Sequence, residues 1–152
     1  MKYLYLSLLM VFSVLMAKAQ VSASGMEAPG QSRPWQTSEL LEPGELNDLI
    51  TKNKAPLVLN LGSVEDIKGA VHIGVVSDTA NMAKLKTTLA AKPKSTEIVI
   101  YCGCCPFGKC PNIRPAYKAL KDLGFNNIRV LNLYVNLRTN WTTQGYPLAK
   151  NN

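Results

Sequence analysis

Glu97-Ile-Val-Ile-Tyr-Cys-Gly-Cys-Cys-Pro-Phe-Gly-Lys-Cys-Pro-Asn-Ile-Arg-Pro-Ala-Tyr-Lys-Ala-Leu-Lys-Asp-Leu-Gly-Phe125 sets a strand-like run, a cysteine-rich loop and an amphipathic helix in direct succession. Ile98 to Tyr101 is short and wholly apolar, the pattern of a strand buried on both faces. Ile113 to Leu123 places Ala116, Leu120 and Leu123 at helical spacing, which predicts a helix stopped by Gly124. Between them lie Cys102, Cys104, Cys105 and Cys110, all four cysteines of the chain. Thiols confined to one loop do not tie distant elements together, as the disulfides of a small secreted scaffold do. The cluster therefore points to chemistry.

Working outward, Pro43 suits a first helical turn and Leu46, Leu49 and Ile50 follow at helical spacing, predicting a helix over 43–52. Leu57 to Leu61 is another short apolar run. Asn81 to Ala91 sets Met82, Leu85 and Leu89 on one face, with Lys84 and Lys86 outside. Ile128 to Leu131 is strand-like. Strands alternating with helices predict an α/β domain with a parallel sheet covered on both sides. In such sheets ligands gather beyond the carboxyl ends of the strands, and Cys102 ends a central one. The helix starting near Asn112 is expected to face its unpaired N–H groups and positive dipole end across the loop. A thiolate held there is stabilised, so the Cys102 pKa is expected to fall below about 8.5. Gly103 and Gly108 are expected to let the loop turn its amides inward. By position Cys102 is the expected nucleophile, and Cys110, at the far end of the loop, is expected towards the rim.

These residues, together with Trp141-Thr-Thr-Gln-Gly-Tyr-Pro, resemble the second half of a rhodanese (sulfurtransferase) domain. In that family a cysteine ending a strand heads the active loop, a helix ending in Gly-Phe or Gly-Tyr follows, and a Trp-x-x-x-Gly-Tyr-Pro segment closes the domain. Leu57-Val-Leu-Asn-Leu and Gly69-Ala-Val-His-Ile are similar to the family's Asp-Val-Arg strand and Pro-Gly-Ala-x-x-Ile segment. The resemblance covers 37–149 and implies a three-layer fold, a central, mainly parallel sheet flanked by helices. It further implies a persulfide carried on Cys102, with Gly103, Cys104, Cys105, Gly108, Lys109 and Arg114 cradling the substrate. The partners it implies are a small sulfur-containing anion, such as thiosulfate, and a thiol acceptor; no cofactor is implied. Departures stand beside the matches. Asn60-Leu61-Gly62 replaces Asp-x-Arg, Asn136-Leu137 stands where Gly-Gly is common, and the loop after Cys102 runs to about ten residues where about six are usual. The loop Cys-Gly-Cys-Cys-Pro and helix start Cys-Pro-Asn-Ile-Arg-Pro-Ala resemble those of a bacterial rhodanese-like subgroup.

Other chemistries compete for the loop. Cys102 and Cys105 form a C-x-x-C, the spacing of labile redox disulfides, but the position of the motif two-thirds along the chain argues against a thioredoxin fold. Cys104, Cys105 and Cys110 are candidate resolving thiols that could release sulfur or form a disulfide. A vicinal Cys104–Cys105 disulfide would be strained. All four thiolates could surround a soft ion. Zinc sites usually draw on two separated knuckles, so Cu(I) on two or three sulfurs is the better variant. A phosphatase or arsenate-reductase reading lacks the Cys-x5-Arg spacing. Sulfur transfer leads; soft-metal binding, thiol redox and a structural disulfide are the alternatives.

Single residues carry two readings each. Arg114 holds an anion or is a solvated first-turn arginine. Lys109 steers a donor or is a surface lysine. His72 fits packing or a sheet edge better than catalysis, and Trp141 and Tyr146 read as packing in the closing segment.

The remainder reads as one exported domain. Lys2, the apolar run to Ala17, and Ala17-Lys-Ala19 predict a signal peptide over 1–19, too short an apolar stretch to span a membrane. The mature protein is expected in the periplasm or medium without stable membrane insertion, and no cysteine near the cleavage site offers a lipid anchor. Residues 20–36 are rich in Ser, Gly, Ala and Pro and read as a flexible lead-in. Of 152 residues, 133 remain after position 19, enough for one domain. The net charge of +7 falls to +5 without Lys2 and Lys18. That excess is scattered with no basic run, which argues against nucleic acid as partner.

Overall fold

The computed structural model describes residues 35–150. The expected signal peptide and nearly all of the lead-in lie outside them. Strands and helices alternate except that β3 follows β2 directly: β1 (Leu40–Leu41), α1 (Pro43–Thr51), β2 (Leu57–Asn60), β3 (Val71–His72), α2 (Thr79–Leu89), β4 (Ile98–Tyr101), α3 (Ile113–Asp122), β5 (Ile128–Leu131) and α4 (Leu137–Asn140). Short 3-10 turns occupy Thr37–Glu39, Phe107–Lys109 and Thr142–Gln144. The strands form one five-stranded sheet in the order β1-β5-β4-β2-β3, with every pair parallel. β4, the most apolar strand, lies at its centre.

Helix boundaries follow local chemistry. Pro43 opens α1, where its missing N–H costs nothing. Asp78 caps α2 by accepting the Ala80 N–H at 2.8 Å. Gly124, at φ +87°, ends α3. The chain then returns Gly124 N–H to Lys121 O and Phe125 N–H to Leu120 O, satisfying carbonyls that the helix leaves open.

Strand alternation divides the core into two faces. Leu59, Ile98, Ile100, Ile128 and Val130 pack with Leu85 and Leu89 of α2 and Ile113, Ala116 and Leu120 of α3. Val58, Val99, Tyr101 and Leu131 face the other way, against Leu46 and Ile50 of α1 and Leu137 and Trp141 of the closing segment. The two-residue period that buries Ile98 and Ile100 beneath α3 continues to Cys102, which joins the same face. Leu123 is only half-buried, because α3 ends one residue before it. Trp35, read from sequence as part of the lead-in, packs edge-on against Tyr117 of α3 with ring centroids 5.1 Å apart.

Candidate active site

Cys102 follows β4 at the carboxyl end of the sheet, where the neighbouring loop comes unusually close. A Cβ at Gly62 would stand 2.1 Å from the Cys102 carbonyl oxygen and 3.1 Å from its sulfur. Glycine at this position is therefore a packing requirement. The preceding Asn60 is fully buried and fully used: Oδ1 accepts the Gly62 N–H at 2.9 Å, while Nδ2 donates to Val64 O at 2.9 Å and to Asp66 Oδ1 at 2.8 Å. Its amide thus shapes the turn beside Cys102 without placing a charge there. Asp66 also pairs with His72 Nδ1 at 2.9 Å, at the edge of the sheet.

Beyond Cys102 the loop turns sharply. Gly103 has φ +81°, and a Cβ there would meet Val64 and Leu137 at 2.8 and 2.9 Å. Its carbonyl accepts the Leu137 N–H at 2.8 Å, so the segment containing Asn136 and Leu137 braces the loop. The N–H of Phe107 donates to Leu133 O at 3.0 Å and pins the loop's middle. Gly108 does not have the expected role: its φ is not positive and a Cβ there would meet open space.

All four cysteines are free thiols. The sulfurs of Cys102, Cys104 and Cys110 lie within 4.8 Å of one another. Cys102 and Cys104 are 3.4 Å apart, and Cys105 lies 3.7 Å from Cys104. Cys110 is 5 % exposed, correcting the expectation that it sits at the rim. The 3-10 turn folds the far end of the loop back over the cluster, and Cys104 takes the outer position instead.

The electrostatics also differ from expectation. The backbone N–H groups of Asn112 and Ile113, at the start of α3, stabilise Cys110. Together with the hydrogen bond from Cys102, the larger cause, they lower the Cys110 thiol to about 6 despite burial. Cys102 shifts upwards, chiefly because it donates to Cys110 and secondly because it is buried. The opposite shifts describe one proton held between two sulfurs, so the two titrate as a pair. Cys102 is left with a single side-chain donor outside the cluster, Asn112 Nδ2 at 3.6 Å, and this hydrogen bond favours the anion. Cys105 is pushed up to about 12, by burial first and then by Cys104.

An open cleft of about 370 Å³ adjoins the cluster, lined by residues 63–65 and 136–138 with Gly103 and Cys104. Of the expected cradle, Gly103 and Cys104 line this cleft; Cys105, Gly108, Lys109 and Arg114 do not. Lys109 is exposed on the 3-10 turn, and the Arg114 guanidinium lies over the Trp35 ring at 4.5 Å. The cation lining the cleft is Arg138, and Ser63 lines it too. Sequence reasoning passed over both, since neither sits in a motif. It also placed Asn112 only as a helix start. Asparagine at an N-cap normally accepts a backbone N–H, but this one makes no such cap and turns towards the sulfur, its Oδ1 accepting the Ser77 N–H at 3.3 Å.

No known family profile matches the chain, and no curated protein matches it either. Among solved structures it is similar to the solution NMR structure of a rhodanese-like domain from Anabaena sp., with a TM-score of 0.52 and 17 % identity over 74 % of this chain and 80 % of that one. The all-parallel five-stranded sheet with its four flanking helices has a rhodanese-like fold.

Proposed function

We propose that this domain is a sulfurtransferase that carries sulfane sulfur as a persulfide on Cys102. The observation that carries this reading is the convergence of Cys102 with Cys104 and Cys110 at the carboxyl end of the central strand of a rhodanese-like fold. In the proposed cycle the Cys102 sulfur passes its proton to Cys110 and attacks the outer sulfur of a donor of the thiosulfate type. The Sγ–S bond forms as the donor S–S bond breaks, and sulfite leaves with the bonding pair. A thiolate acceptor then attacks the outer sulfur, and Cys102 recovers its proton. Arg138 in the adjoining cleft supplies positive charge for the anionic donor, and the exposed Cys104 must move aside for the donor to reach Cys102. Export to the periplasm or medium is part of the same proposal and rests on the first 19 residues. Among the described residues no helix is long and apolar enough to cross a membrane.

Single-turnover mixing of the reduced protein with thiosulfate, followed by intact mass, tests the assignment. Wild type should gain the mass of one sulfur atom and Cys102→Ser none. Cys110→Ser should load about 100-fold more slowly at neutral pH, because the proton acceptor is lost, a loss at the lower end of those seen when proton-transfer groups are removed. Uptake by Cys102→Ser at the wild-type rate would contradict the assignment.

A further inference from the structure

The same loop has the donor set of a metal site. The sulfurs of Cys102, Cys104 and Cys110 lie within 4.8 Å of one another, the first two 3.4 Å apart. Metal–thiolate bonds of about 2.3 Å hold sulfurs roughly 4 Å apart around a three-coordinate ion. The triad is therefore spaced for one cation with only small side-chain movement. The set contains no carboxylate and no imidazole, so hard cations that require oxygen have nothing to bind. Sulfur alone selects soft ions.

The number of sulfurs narrows the choice further. Structural zinc takes four ligands, and Cys105, although 3.7 Å from Cys104, is outside the mutually close set. Three thiolates complete the shell of monovalent copper and leave zinc one ligand short. Cys102 and Cys110 are buried, which keeps water from the ion, and Cys104 is exposed beside the open cleft, where an incoming ion first meets the triad. Asn112 Nδ2, 3.6 Å from the Cys102 sulfur, braces a ligand from outside the coordination shell.

We propose that Cys102, Cys104 and Cys110 form a three-thiolate site for Cu(I), with Cys105 outside it. The ion arrives as Cu(I) from a thiol or chelator complex, so no electron is transferred, and binding releases the remaining thiol protons to solvent. Because the ion occupies Cys102, copper and sulfane sulfur exclude each other; this last consequence alone rests on the sulfurtransferase reading.

The test is an anaerobic titration of the reduced protein with Cu(I) in competition with bicinchoninate, repeated on four single Cys→Ser variants. One Cu(I) per chain should be retained, with three sulfur neighbours by X-ray absorption. Cys102→Ser, Cys104→Ser and Cys110→Ser should each weaken binding by about 100-fold or more, and Cys105→Ser by about threefold at most. Cys104 is exposed, so its variant carries the comparison even where the buried variants fold poorly. Failure of wild type to outcompete a variant lacking all three thiols, or equal losses in Cys104→Ser and Cys105→Ser, would overturn the site. Cu(I) retention is read without any sulfur donor, so its failure is separate from failure of persulfide loading.

Discussion

At the scale of single residues, the site is defined by which sulfur receives the helix amides. Cys110 receives them, and Cys102 donates to Cys110, so the reduced pair carries one negative charge near neutral pH. Thiolate absorbance should therefore show one group ionising near pH 6 in the wild type, a step that Cys110→Ser removes. A first ionisation only near the ordinary thiol range, about 8.5, would contradict the shared proton. The sequence made the cluster legible and gave Cys102 its place at a strand end. It did not reveal the thiolate, because two residues at opposite ends of a ten-residue loop compete for the same amides and only the path of the loop decides between them. Gly62 and Asn60 were visible as departures from the Asp-x-Arg pattern. Their reasons belong to three dimensions: a carbonyl approach too close for any side chain at Gly62, and hydrogen bonds to Gly62, Val64 and Asp66 at Asn60.

At the scale of elements, the loop is held as a brace between β4 and the segment after β5. Gly103 is the turning point, combining positive φ with contacts that leave no room for a methyl group. Gly103→Ala should lower stability by about 2–4 kcal/mol, the sum of left-handed backbone strain and overpacking. Its urea midpoint should fall, and persulfide loading should slow because the loop leaves its place. Gly108→Ala, at a position with open space and no positive φ, should change neither. Equal effects of the two substitutions would contradict the brace. The helices were legible because their periodicity is strong, and the four-residue strands β2, β4 and β5 because they are short, mostly apolar runs. β1 and β3 were harder to see, since two residues have no period and their pairing comes from the neighbouring strands.

At the scale of the molecule, the parallel sheet brings to one end segments far apart in the chain: residues 61–67 after β2, the cysteine loop after β4, and residues 133–138 after β5. Tyr101 locks the first to the second, its hydroxyl accepting the Ile67 N–H at 2.9 Å and donating to Glu65 O. The closing segment seals the opposite face through the buried Trp141, whose Nε1 donates to Pro147 O at 3.1 Å. The parallel sheet was anticipated because each βα unit carried its own pattern, and the closing segment because it resembles that of the rhodanese family; the order of the strands was not. The cleft was not, since Ser63 and Arg138 come from separate units and meet only when the sheet assembles. The most direct measurement on the central claim is peptide mapping of wild-type protein loaded once with thiosulfate, alkylated to trap persulfides and fragmented across residues 102–110. The added sulfur should be found on Cys102, with Cys104, Cys105 and Cys110 alkylated as plain thiols. Recovery of the persulfide on Cys110, or of no persulfide anywhere in the loop, would contradict it.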